Sequence, residues 1–209
     1  VVKLMKCLAW MVIGVLAYAG LARADDPFDE PPISYSTSKP HDPVEQLIQR
    51  IKSGQTKLTY TPAHGYLESL LQALKIPASS QTLVFSKTSF QRERISPEDP
   101  RALYFNDDTY VGYVSGGADL EIATTDPAIG TVFYTIAQHP PAGAAAPIPP
   151  VREINKCMEC HGGGMTHDNP GLIMRSTYPD SNGQPILSAG TFLTTQQSPL
   201  SQRWGGWLV

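Results

Sequence analysis

The chain has 209 residues, with 16 Lys and Arg against 19 Asp and Glu, a net charge of -3 and no basic run of the kind that attracts a phosphate backbone, so nucleic-acid binding has no support. Hydrophobic residues make up 41% and charged residues 17%, which is enough to bury a core and too apolar for bulk disorder. The 19 prolines and 17 glycines argue against a bundle of long helices, and three cysteines are too few for a disulfide scaffold.

Residues 1–24 read as an export signal. Lys3 and Lys6 precede an uncharged apolar run over residues 7–21, and Ala22, Arg23 and Ala24 supply a small-x-small cleavage site before Asp25. The run is shorter than the roughly 20 apolar residues that cross a bilayer, so cleavage with no stable membrane insertion afterwards is the expectation. Residues 25–42, acidic and rich in Pro and Ser, read as an exposed, poorly ordered leader.

Over residues 43–138 the pattern predicts an α+β region. Asp42 before Pro43 is an N-cap with proline at the first helical position, and Val44, Leu47, Ile48 and Ile51 recur at helical spacing until Gly54. A second stripe, Leu67, Leu70, Leu71 and Leu74, ends before Pro77 and completes a helical pair. The runs TLVF, ALYF, TYVGYV, LEIAT and TVFYTIA, with turn formers between them, predict a small antiparallel meander. Between the first two runs, QRERISPEDPR at residues 91–101 reads as a solvated charged loop. Residues 139–150, HPPAGAAAPIPP, read as a stiff Pro/Ala-rich linker, which leaves residues 151–209 as a separate helical and loop segment.

That last segment carries the chemistry. Residues 157–161 are CMECH, and C-x-x-C-H is the attachment sequence for c-type haem. Cys157 and Cys160 fall on one side of a helical turn, where each thiol can form a thioether with a haem vinyl group. His161 is then held beneath the ring as an iron ligand. Other readings of the pair stay open: a zinc site, which would want four protein ligands, a thioredoxin-like redox pair, or a short-loop disulfide. For the sixth iron position Met174 is the first choice, because Met165 and His167 have less chain in which to round the porphyrin; His64 and His139 are weaker candidates. Gly162, Gly163 and Gly164 would let backbone pass close to the haem edge or end the turn, and Arg175 could pair with a propionate.

Together with CMECH, the stretches SKTSFQRERISPEDPRALYFNDDTYVGYV, RSTYPDSNGQPILSAGTF and SPLSQRWGGW resemble the exported, single-haem cytochrome c domain proteins of environmental bacteria. The resemblance covers most of residues 80–209. It implies one covalent haem c, one-electron transfer with a redox partner protein, a periplasmic location and a chain that continues past Val209. The alternative is a haem enzyme, peroxidase-like or otherwise oxidative, with an open sixth position; a third reading is a binding module whose haem serves a partner.

Overall fold

The computed structural model describes residues 26–140 and 148–203. The export signal, the middle of the expected linker and the end of the RWGGW stretch lie outside the described residues. The chain builds one six-stranded antiparallel sheet in strict sequence order: β1 (Thr82–Val84), β2 (Arg101–Phe105), β3 (Thr109–Tyr113), β4 (Asp119–Asp126), β5 (Gly130–Ala137) and β6 (Val151–Arg152). Two short helices, α1 (Pro43–Lys52) and α2 (Leu67–Ala73), precede β2. A single helical turn, α3 (Met158–His161), follows the sheet, and a two-stranded ribbon of β7 (Arg175–Thr177) and β8 (Thr191–Leu193) lies beyond it.

Alternation along the strands explains the layers. The register sets Val111, Ile122 and Tyr134 side by side on one face, and Leu120 against Ile136 beside them, all buried. This face carries the helices. Asp42 is the N-cap of α1: its carboxylate accepts the N–H groups of Val44 and Glu45 at 2.7 and 2.9 Å, and the Tyr134 hydroxyl of β5 at 2.6 Å. Val44, Leu47, Leu70 and Leu71 complete that core, each leucine contributing about 1.5–3 kcal/mol of burial.

The opposite face holds Gly112, Glu121, Thr135 and Val151 in one cross-strand row. Arg101 lies over Gly112 and pairs with Glu121, whose other oxygen takes the Gln91 amide at 3.2 Å. So the 91–101 stretch, expected to be a solvated loop, instead buries Ile95 and helps cover this face.

The expected α+β class, with a helical pair, a small meander and a helical haem segment, is corrected to a β-rich fold with few helices. Gly54 and Pro77 keep the helices to about two or three turns. The meander gains one strand, β6, beyond the five expected runs, and the Pro- and Gly-rich chain after His161 forms loops and a ribbon rather than helix. Residues 26–42, expected as a loose leader, fold against the sheet edge. Phe28 and the fully buried Tyr35 join the core, and the Tyr35 hydroxyl accepts the Phe133 N–H and donates to the Glu153 carbonyl. Arg152 stacks on the Tyr35 ring and donates to the carbonyls of Tyr35 and Ser38, covering the short edge strand. The segment after the linker belongs to the same core, through β6 and the buried Met158. Among the described residues no helix is long and apolar enough to cross a membrane.

Candidate functional site

The CMECH turn sits on the face opposite the helices. The chain leaves β6, and Thr135 of β5 holds the Glu153 carboxylate at 2.7 Å. Cys157 then caps one helical turn, its carbonyl accepting the His161 N–H at 3.0 Å. Met158 plugs the turn into the core. Gly162 closes over it so tightly that a Cβ there would lie 2.5 Å from the Phe28 ring and 2.6 Å from the Met158 methyl carbon. Around it Cys157 is half-buried and Cys160 exposed, and both are free thiols.

His161 is held from two sides. Its Nδ1 lies 2.8 Å from the Gly171 carbonyl, and its ring meets the Phe133 ring at 4.6 Å between centroids. A carbonyl can only accept, so Nδ1 carries the proton and Nε2 keeps its lone pair. Burial pushes the imidazole pKa down in spite of that hydrogen bond, which favours the neutral, ligating form. Burial also pushes the Cys157 thiol up to about 12, with Glu153 and Glu121 adding to the effect. A reactive N-terminal cysteine of a redox pair needs the reverse, a lowered pKa, so the thioredoxin-like reading loses support.

The remaining candidates are spread more widely. Met174 precedes β7, its carbonyl taking the Thr194 N–H at 2.7 Å and its side chain 38% exposed; no hydrogen bond or ring contact joins it to the CMECH turn among the described residues. Met165 and His167 are exposed in the loop after the turn, His167 with a left-handed backbone. His64 lies on the helix side of the sheet, paired with Glu68 at 2.5 Å beside a cleft of about 290 Å³, and His139 faces the Tyr60 hydroxyl at 3.2 Å. Arg175 opens β7 opposite Leu193. A Cβ at Gly163 or Gly164 would meet nothing within 4 Å, so those two face open space whereas Gly162 is a packing position.

The sequence did not single out Phe133 or Gly171, since their role depends on where the sheet and the following loop meet the turn. The chain from this turn onward is also rich in exposed apolar side chains. Of the 13 exposed large apolar side chains among the described residues, nine fall from Ile154 onward, Met165, Leu172, Met174 and Leu187 among them. Among the described residues no three His, Cys, Asp or Glu side chains converge as a metal-binding group. Compared with protein-family models, with curated proteins and with solved structures, the chain finds no match in any of the three.

Proposed function

We propose that this chain is the haem-bearing region of an exported, single-haem c-type cytochrome that passes one electron at a time to a redox partner protein. The observation that carries the reading is the orientation of His161: its Nδ1 is engaged by the Gly171 carbonyl, and Nε2 is left for an iron ligand directly after a C-x-x-C pair. The residues present fit the group. Cys157 and Cys160, both free thiols, would hold it covalently, and His161 would ligate its iron. Haem bound there supplies the one-electron iron couple. The protein's own share is to keep the imidazole neutral, to fix its tautomer through Gly171 and to hold its ring against Phe133. Met174 is proposed for the sixth position, and the periplasm as the compartment, where a covalent link retains a cofactor that diffusion would otherwise carry away.

The test is production of the full chain with haem-attachment machinery, followed by mass spectrometry and an optical spectrum. One added haem that survives acid-acetone extraction is expected, with Cys157→Ala and Cys160→Ala each preventing double attachment. Haem that extracts freely, or bound zinc in its place, overturns the reading. Met174→Ala should abolish a methionine-to-iron charge-transfer band and admit small ligands; an unchanged spectrum removes Met174 from the iron.

A further inference from the structure

The contacts that hold His161 trace back to one strand. The Thr131 N–H at the start of β5 donates to the Pro170 carbonyl at 3.1 Å. On the other side of the same peptide plane, the Gly171 N–H donates to the His161 carbonyl at 3.0 Å, so that plane is pinned from both ends. The next carbonyl, that of Gly171, receives His161 Nδ1, and two residues along β5 Phe133 lays its ring against the imidazole. The loop can come this close because position 130 has no side chain. Its φ is +91°, and a Cβ there would stand 2.9 Å from the Pro170 oxygen.

We propose that the β4–β5 turn, through Gly130 and Thr131, is a positioning element for His161: by fixing the Pro170–Gly171 peptide it decides which imidazole nitrogen keeps its lone pair for a ligand. The identity of that ligand as haem iron rests on the function proposed above; the positioning does not. A carbonyl held on Nδ1–H makes Nε2 a stronger donor, and a stronger donor favours ferric over ferrous iron. The turn therefore acts on the electron affinity of the site through Gly171 and the imidazole, without touching either the iron or the thiols.

The experiment compares Gly130→Asn with Gly116→Asn in the full chain. Asparagine tolerates positive φ better than other side chains, and position 130 adds to the backbone cost a clash with main chain that position 116 lacks. At 130 the new Cβ meets the Pro170 carbonyl, whereas at 116, where φ is +60°, it meets only the Arg94 guanidinium at 3.3 Å. Nitrogen-15 NMR of His161 in the haem-free chain should show the Nδ1–H tautomer in the wild type and in Gly116→Asn, and a mixture with the Nε2–H tautomer in Gly130→Asn. In the haem-loaded chain Gly130→Asn should raise the reduction potential and Gly116→Asn should leave it in place. A folded Gly130→Asn with wild-type nitrogen shifts overturns the proposal. If that variant does not fold, amide exchange in the wild type decides: a protected Thr131 N–H supports the anchor, and one that exchanges like an open turn removes it. A tautomer change in a chain that takes up no haem would retain the positioning element and discard the cytochrome reading; haem uptake with no tautomer change does the reverse.

Discussion

At the scale of single residues, the two cysteines of the motif are unequal. Cys157 is half-buried against the fringe of the core and Cys160 is exposed, and burial holds the Cys157 thiol up to about 12. Alkylation by iodoacetamide near pH 8, followed by peptide mass spectrometry, should therefore label Cys160 first and Cys157 more slowly by about two orders of magnitude or more. Equal rates would mean that the turn does not dock as described. The sign of the pH effect follows from the same shift. The folded pKa lies above the ordinary thiol value of 9.0, so this group's contribution to stability is intact below about pH 9 and is lost as the pH rises toward 12.

Among the elements, α1 and β5 are joined by one carboxylate. Asp42 caps the helix with two backbone bonds and accepts the buried Tyr134 hydroxyl, while burial raises its own pKa. Asp42→Ala removes the cap and leaves the phenol unpaired, an expected loss of about 2–4 kcal/mol in urea unfolding. Tyr134→Phe leaves the cap in place and should cost about 1 kcal/mol. Asp42 with Pro43 was legible in the sequence because an N-cap is a local device. So was β4, whose Leu120, Ile122 and Thr124 alternate cleanly, and so was β5, an apolar and β-branched run over residues 131–137. β6 was not, since two residues after a proline-rich stretch, Val151 and Arg152, carry no period; only pairing with Tyr134 and Thr135 makes them a strand. The CMECH spacing was legible to the residue. Its support was not, because Phe133 lies about thirty positions upstream of His161 and a carbonyl such as that of Gly171 has no side-chain signature.

For the whole molecule, the layout sets an order of events. Every strand of the main sheet from β1 to β6 pairs with its neighbour in sequence, so the meander forms from short-range contacts and can assemble early as the chain emerges. Docking of the CMECH turn needs β5 in place, and it buries Met158, the residue between the two cysteines in sequence, and draws Cys157 half out of solvent. On the function proposed above, covalent loading of the turn would compete in time with its docking. An enzyme that must grip both thiols has to reach them while Met158 is still free of Phe28 and Gly162. Met158→Ala should shift that race: stability falls by about 2–5 kcal/mol, yet the haem-loaded fraction rises when attachment machinery is scarce, as read from the absorbance of haem per chain. On that reading the methionine between the cysteines would serve as a latch whose closing ends the interval in which the cofactor can be installed.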